Sequence, residues 1–116
     1  MLSETKLALR ITATVYDSEL ANLIHAGARD LQLAGIDLNG EVGFSYAQDQ
    51  SGHVTVTDEC SMNDPLIMRA IITYVRAHFG SPNDYDRLVE SYDTQKAQLM
   101  SATGYTDWGE DQFEQT

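Results

Sequence analysis

The residues best suited to chemistry are the single cysteine and the three histidines, Cys60, His25, His53 and His78. Cysteine and histidine together can act as nucleophile and base, or can bind a transition metal. No HExxH or CxxC pattern brings two of them to a ligand spacing. Cys60 has no cationic neighbour in the sequence that would lower its pKa. The sequence therefore predicts structural roles for these side chains, no enzymatic activity, and neither a cofactor nor a metal site.

Two acidic loops, Asp37–Gly40 and Asp49–Gly52, are the next candidates, because they are rich in the oxygen donors that Ca²⁺ prefers. Neither loop completes the D-x-[DN]-x-[DN]-G-x₅-E spacing that places such donors around the ion. The eight glycines lie at predicted helix ends and turns and form no glycine-rich phosphate loop. The sequence therefore favours neither a divalent cation site nor a nucleotide site.

The charge of the chain argues against further classes of function. Its 116 residues include 18 acidic and 7 basic side chains, which gives a net charge of −11. Proteins that bind nucleic acid or anionic membranes present clustered Lys and Arg, so this balance argues against both. The acidic surplus lies in two segments without Lys or Arg, residues 30–68 and 97–116. Because the sequence shows no signal peptide, no membrane-spanning apolar run and only one cysteine, we expect a protein of a reducing compartment.

The first two helices are predicted from their capping residues and apolar spacing. Ser3 is expected to cap a short first helix that ends near Arg10 or Ile11, where β-branched residues begin. Asp17 is expected to cap the second helix. Apolar residues then recur at i, i+3, i+4 and i+7 until Gly35, the expected stop.

The last two helices are predicted from the only two prolines of the chain. Each proline follows a capping residue, as Asp64-Pro65 and Ser81-Pro82, which is typical of an N-cap before the first helical residue. These pairs predict a third helix over residues 65–79 and a fourth from 82 to about 101. The short joint between them predicts an antiparallel helical hairpin.

Residues 41–58 change to the period-two alternation of a strand, and Asp49–Gly52 supplies turn residues in the middle. We therefore predict a β-hairpin inserted between helices 2 and 3. The predicted fold is mainly α, a small bundle of about four helices that forms one domain over residues 1–104. Residues 105–116 are rich in acids and polar side chains, so we expect an extended acidic tail that is disordered unless a partner orders it.

The hairpin and the tail contain more aromatic and apolar side chains than a domain of this size is expected to bury. Exposed aromatic side chains are typical anchors of protein interfaces, so the sequence favours protein–protein interaction as the function. For the two hairpin aromatics the alternative, that they only cover the helical core, stays open. The interface candidates are Phe44, Tyr46, Val54, Val56, Tyr105, Trp108 and Phe113.

The segment Asp64–Gly80, which reads DPLIMRAIITYVRAHFG, resembles a known family. The resemblance is to the small head–tail connector (head-completion) proteins of tailed bacteriophages, which are also described as DNA-packaging adaptors. It is a pattern of helix faces and caps, and it does not extend to the hairpin. In the family's order and spacing, it includes Ala8–Thr12, Asp17–Leu20, Leu23–Ile24, Ala28–Arg29, Pro82–Leu88 and Ser91–Tyr92.

The resemblance implies a structural, non-enzymatic protein whose copies form a ring, dodecameric on the portal, at the capsid vertex of the virion. Such a ring extends the DNA channel, and its implied partners are further copies of itself, the portal protein and a neck or tail-completion protein. DNA would pass through without specific binding, no membrane would take part, and assembly would occur in the host cytoplasm. An acidic wall repels phosphate. The candidates for lining such a channel are Asp37, Glu41, Asp49, Asp58 and Glu59.

A different class of function also fits the acidic composition. A free acidic protein that mimics DNA would bind and inhibit a basic host enzyme of nucleic-acid metabolism, as a monomer or a dimer. Ring formation, or co-sedimentation with the portal protein, would distinguish a connector from such an inhibitor. An enzyme that uses Cys60 and His78 is the remaining alternative, which substitution of these two residues would test.

Overall fold

The computed structural model describes residues 1–80, 82–102 and 105 of the chain. Within these residues the order of elements is α1 (Leu2–Leu9), α2 (Asp17–Leu33), β1 (Phe44–Gln48), β2 (Val54–Asp58), α3 (Pro65–His78) and α4 (Tyr85–Ser101). The mainly α fold, with a hairpin between the second and third helices, is confirmed.

The hydrophobic core lies where α2, α3 and α4 pack against one another. The apolar positions of α2 and α3 recur at helical spacing, so each helix turns one continuous apolar stripe towards the other. Burial of each large apolar side chain of these stripes stabilises the fold by about 1.5–3 kcal/mol. α4 packs along α3 and closes the core with three buried residues of its own. The largest fully buried apolar side chains of α2 and α3 are Leu20, Ile24, Leu31, Ile67, Ile71 and Val75.

Gly27 allows α2 and α3 to approach closely. A Cβ atom at this position would lie 3.0 Å from a ring carbon of Tyr74 on α3. A side chain here would therefore push the two helices apart and weaken the packing of the core. The apolar stripe of α2 includes a glycine for this reason.

The predicted start of α3 is confirmed in detail. Asp64 is the N-cap, and its Oδ1 accepts hydrogen bonds from the backbone N–H groups of Leu66 (2.9 Å) and Ile67 (3.3 Å). Pro65 occupies the first turn, where its missing N–H costs nothing because that group would have no partner within the helix.

The predicted caps of the first two helices are wrong by one or two residues. α1 begins at Leu2 with Met1 as its N-cap, so Ser3 already lies inside the helix. α2 begins at Asp17 with Tyr16 as its N-cap. The carboxylate of Asp17 forms an ion pair with Lys6 of α1 at 2.8 Å instead of capping its own helix. A tertiary partner has therefore replaced the local one.

The predicted start of α4 is also wrong, because this helix begins at Tyr85 and not at Pro82. Asp84 is the N-cap, but its side chain forms no capping hydrogen bond and pairs with Arg87. The predicted cap Ser81 lies outside the described residues. Phe79 is extended and Gly80 has a φ of 70°, so the chain leaves α3 sharply. The helix can start only once the chain has turned back, which takes it past the proline.

The hairpin is antiparallel, and its register pairs Phe44 with Asp58, Tyr46 with Val56 and Gln48 with Val54. Directly opposed residues point to the same side of a sheet, so these six share one face. This face is turned towards the helices, because Phe44 and Val56 pack against the core and the hydroxyl of Tyr46 reaches α2. The turn is closed by Asp49, whose Oδ1 accepts hydrogen bonds from the backbone N–H groups of Ser51 (3.0 Å) and His53 (2.9 Å).

Candidate interaction surfaces

The four interface candidates of the hairpin all lie on its helix-facing side, but they differ in how far they are buried. Phe44 lies at the base of the hairpin and Val56 in the middle of β2, and both pack against the edge of the core. Val54, near the turn, is half-buried. Tyr46 has 51% of its surface exposed, although its hydroxyl reaches Asn22 of α2 at 3.4 Å. The question that the sequence left open for the two aromatics therefore has a different answer for each, since Phe44 packs on the core and Tyr46 is exposed.

Asp58, a candidate for channel lining, connects the hairpin to α1. Its Oδ2 accepts hydrogen bonds from the amino group of Met1 at 2.5 Å and from the backbone N–H of Leu2 at 2.7 Å. Burial by itself would raise the pKa of Asp58, but the hydrogen bonds from Met1, Cys60 and Leu2 outweigh it and lower that pKa well below its ordinary value. Asp58 is therefore held as a carboxylate that ties the two elements together.

Two more of the acidic candidates form local hydrogen bonds that hold turns. Asp37 accepts a hydrogen bond from the backbone N–H of Asn39 at 2.9 Å. Asp49 accepts from the hydroxyl and N–H of Ser51 and from the N–H of His53, and the hydroxyl is the main cause of a lowered pKa for this carboxyl. These acids shape the loops that carry them.

Within the described residues, the carboxylates of Glu41 and Glu59 accept no hydrogen bond from the backbone. Both are exposed and lie at the base of the hairpin, on either side of the strands. Glu59 accepts one exposed hydrogen bond from the hydroxyl of Ser45 at 3.0 Å, and the carboxylate of Glu41 forms no hydrogen bond or ion pair within the described residues. Of the five acidic candidates, Glu41 and Glu59 are therefore the two that contribute charge to the surface without holding a loop or turn in place.

Tyr105, the first residue of the predicted tail, contacts its own helical domain. Its hydroxyl donates a hydrogen bond to Oδ2 of Asp64 at 2.7 Å, and this bond raises the pKa of Tyr105. Its carbonyl accepts a hydrogen bond from the backbone N–H of Asp37 at 2.6 Å. The chain is thus fixed beside the N-terminal end of α3. The other tail candidates, Trp108 and Phe113, lie outside the described residues.

A polar cluster that sequence reasoning missed joins α2 to α4. The hydroxyl of Tyr92 donates a hydrogen bond to Asp30 at 2.6 Å, and the Nζ of Lys96 lies 3.2 Å from the same carboxylate oxygen. Burial and the bond to Asp30 raise the pKa of Tyr92 far above its ordinary value, so the phenol stays protonated. The rings of Tyr74 and Tyr92 meet edge to face at 5.3 Å. These bonds fix the position of α4 on the bundle.

A second missed feature is a groove of about 430 Å³ where the C-terminal ends of α1 and α3 meet the start of α4. We call it the α1/α3/α4 groove. Phe79 is half-buried in it and meets Tyr16 edge to face at 5.4 Å. The feature of the sequence that could have indicated this groove is Arg10, which stands at the end of α1 where glycine is usual. The lining residues are Ala8, Leu9, Arg10, Ile11, Arg76, Phe79, Pro82, Asp84 and Leu88.

The side chains considered for chemistry lie apart from this groove. The Cys60 thiol donates a weak hydrogen bond to the carbonyl of Gly43, and burial, together with the neighbouring carboxylate of Asp58, raises its pKa to about 11. The ring of His78 contacts that of Tyr74 at a tilt of 42°, with centroids 4.3 Å apart. Within the described part of the chain, no group of three or more His, Cys, Asp or Glu side chains could hold a metal ion, and no helix there is long and apolar enough to cross a membrane.

Comparison with known proteins gives one match. A family model described as "Phage connector protein" matches residues 1–106, a range that includes all four helices and the hairpin. No curated protein and no solved structure matches the chain. The matched family is a structural, non-enzymatic kind of protein, and a phage connector is a component of the virion that associates with portal or neck proteins. The chain belongs to the phage connector protein family.

Proposed function

We propose that this protein is a head-completion connector that forms a ring, dodecameric on the portal protein, beneath the capsid vertex. There it extends the DNA channel and docks a neck or tail-completion protein, after assembly in the host cytoplasm. The observation that carries the proposal is the family match over residues 1–106, because it takes in the whole helical unit and its hairpin.

The surface of the subunit supports assembly with other proteins. A closed ring uses heterologous contacts, so each subunit needs two different contact surfaces. The exposed surface of the hairpin around Tyr46, in the middle of β1, is one candidate. The α1/α3/α4 groove is lined by other elements of the fold, and it is the second candidate. The two surfaces are formed by different elements, as a head-to-tail contact requires.

Sedimentation and negative-stain microscopy of the pure protein, alone and mixed with the portal protein, test this proposal. We expect rings, or co-sedimentation with the portal protein at a fixed stoichiometry. A protein that stays monomeric and does not bind the portal protein would contradict the connector role. Tight binding to a basic host nuclease or polymerase by that same monomer would instead identify a DNA mimic.

We also propose that Glu41 and Glu59 contribute to the acidic lining of the DNA channel. The double substitution Glu41→Gln/Glu59→Gln removes two negative charges without removing a tertiary contact. Glu19→Gln/Glu90→Gln is the matched control, because both residues are exposed glutamates on helices. We expect the first variant alone to alter the efficiency of DNA packaging or ejection. Equal packaging and ejection by both variants and the wild type would exclude this lining role.

A further inference from the structure

The α1/α3/α4 groove combines apolar walls with positive charge in a strongly acidic protein. Leu9, Phe79 and Leu88 form apolar parts of the groove, and Arg10 and Arg76 lie beside them. Both arginines are exposed, and neither forms an ion pair within the described residues. The groove also contains Asp84, but Arg87 already neutralises that carboxylate. The groove is therefore suited to a ligand that is both aromatic and acidic.

The backbone at Arg10 supports a role for its side chain. Arg10 has a φ of 60° and a ψ of 42°, the left-handed conformation. The N–H groups of Arg10 and Ile11 donate to the carbonyls of Leu7 and Lys6, which is the Schellman ending of a helix. Glycine or asparagine is usual at that position, because a Cβ atom is unfavourable there. An arginine there costs stability and places a cation in the groove.

The C-terminal segment of the chain has the complementary chemistry. Residues 106–116, TDWGEDQFEQT, contain four acids, no base and two aromatic residues. We infer that this segment of one subunit binds the α1/α3/α4 groove of the next subunit. Trp108 and Phe113 bury their rings against the apolar walls, and the acids that flank them pair with Arg10 and Arg76. This inference rests on the proposed ring and names the contact between its subunits.

The position of Tyr105 shows why the occupied groove is that of another copy. Tyr105 is held at Asp64, the N-cap of α3, whereas Arg76 and Phe79 lie at the far end of the same helix. At about 1.5 Å per helical residue the groove is about 20 Å away. Three extended residues span at most about 11 Å, so Trp108 falls short of the groove of its own chain, and the rings of Trp108 and Phe113 can enter one groove together only in another copy.

The same separation gives the contact a direction. The tail leaves the subunit at one end of the α3–α4 pair, and the groove lies at the other end. A contact between unlike surfaces at opposite ends repeats from subunit to subunit, and it either closes into a ring or continues as a filament. The proposed contact is therefore of the kind that a connector ring needs.

The fluorescence of Trp108 tests the inference in the full-length protein, because it is the only tryptophan of the chain. We would record emission and sedimentation together, from low micromolar to near-millimolar protein. The emission maximum should move to shorter wavelength as the particle mass rises above that of a monomer. An emission maximum that does not change with mass would overturn the inference. Blue-shifted emission in a particle of monomer mass would do so too.

Two charge-matched double variants test the role of the groove. Arg10→Glu/Arg76→Glu should weaken the association at least tenfold, from the loss of about two partly exposed ion pairs. Arg29→Glu/Arg69→Glu changes the net charge equally, outside the groove, so it should weaken the association less. Circular dichroism would first show that both variants are folded. Equal weakening by the two variants would mean that net charge, and not the groove, controls association.

A charge-swap mixture gives the sharpest outcome. Asp107→Lys/Asp111→Lys in the tail should weaken self-association, and so should Arg10→Glu/Arg76→Glu in the groove. When the two variants are mixed, each tail meets a groove of opposite charge on the other variant, so mixed assemblies larger than a monomer should form. A mixture that associates no better than its components would refute the contact. Binding to the portal protein is measured separately, so failure of this contact would leave the connector role standing.

Discussion

Substitution of Asp58 by asparagine separates a structural role from channel lining at this position. The substitution keeps the shape of the side chain and the oxygen that accepts from the N–H of Cys60. It replaces the oxygen that accepts from Met1 and Leu2 with an amide group that cannot accept. Glu4 lies 2.9 Å from the same amino group, so that group keeps one partner and is not left isolated.

The expected cost of Asp58→Asn follows from those two lost hydrogen bonds. A hydrogen bond to a charged group contributes about 1.5–3 kcal/mol, and a neutral donor contributes about 1 kcal/mol. The side chain of Asp58 is 30% exposed, so solvent screens part of the interaction. We therefore expect the free energy of unfolding to fall by about 2 kcal/mol, which lowers the Tm by about 8 °C in a domain of this size.

The loss of unfolding free energy caused by Asp58→Asn should become smaller at both acidic and alkaline pH. The pKa of Asp58 is lowered in the folded protein, so its contribution is complete above the ordinary value of 3.8 and disappears as the pH falls towards the folded pKa. The pKa of the Met1 amino group is raised above 8.0, so its contribution is complete below that value and is lost as the pH rises through the folded pKa. The difference between wild type and variant is thus largest near neutral pH.

The assay is thermal or urea unfolding of the two proteins, each beginning at Met1, at a series of pH values. Glu59→Gln is the matched control, because this neighbour is exposed and its side chain accepts a single hydrogen bond, from Ser45. It should change the free energy of unfolding by less than about 0.5 kcal/mol. If Asp58→Asn proves as stable as Glu59→Gln at neutral pH, the tie between hairpin and α1 is refuted.

Three further predictions concern single side chains. Tyr92→Phe removes the hydroxyl that binds Asp30 and should lower the free energy of unfolding by about 1.5 kcal/mol in urea; an equal loss in Tyr85→Phe, an exposed tyrosine, would contradict this. Arg10→Gly relieves the left-handed backbone, so it should raise the free energy of unfolding by about 0.5–1 kcal/mol, and a decrease would show that the arginine stabilises the isolated subunit. The thiol of Cys60, with its pKa raised to about 11, should react with a disulfide reagent far more slowly at pH 7 than free cysteine does; rapid reaction would refute that shift.

The helices and the hairpin could be predicted because their signals are local. Asp64 caps α3 and Pro65 lies in its first turn, so the residues that signal the start of the helix are those at which it starts. The alternation in residues 44–48 and 54–58 likewise depends on neighbours along the strand. Ser81-Pro82 carries the same local signal as Asp64-Pro65, yet α4 begins only at Tyr85. The geometry of the turn between packed helices overrode that signal.

The contacts that define the surfaces could not be predicted, because they join residues far apart in the chain. Asp58 binds Met1 across 57 positions, and Tyr92 binds Asp30 across 62. Nothing in the sequence near either acid distinguishes it from an acid that faces solvent. The sequence alone therefore predicts one surface for five acids, although Asp37, Asp49 and Asp58 form hydrogen bonds that hold a loop, a turn and the hairpin in place. Only the packing of the elements distinguishes the acids that hold the fold together from those that face solvent.

The net charge of −11 sets a condition on any assembly of this subunit with itself. Like-charged copies repel, so their contact needs opposite charges placed together or extensive apolar burial. In the described residues, Lys6, Arg87 and Lys96 are already paired within the chain. The remaining bases are four arginines, Arg10, Arg29, Arg69 and Arg76, and two of them lie in one apolar groove. An acidic tail that carries aromatic residues meets both requirements there, which is why the α1/α3/α4 groove, more than the hairpin, is where contact between copies should be tested first.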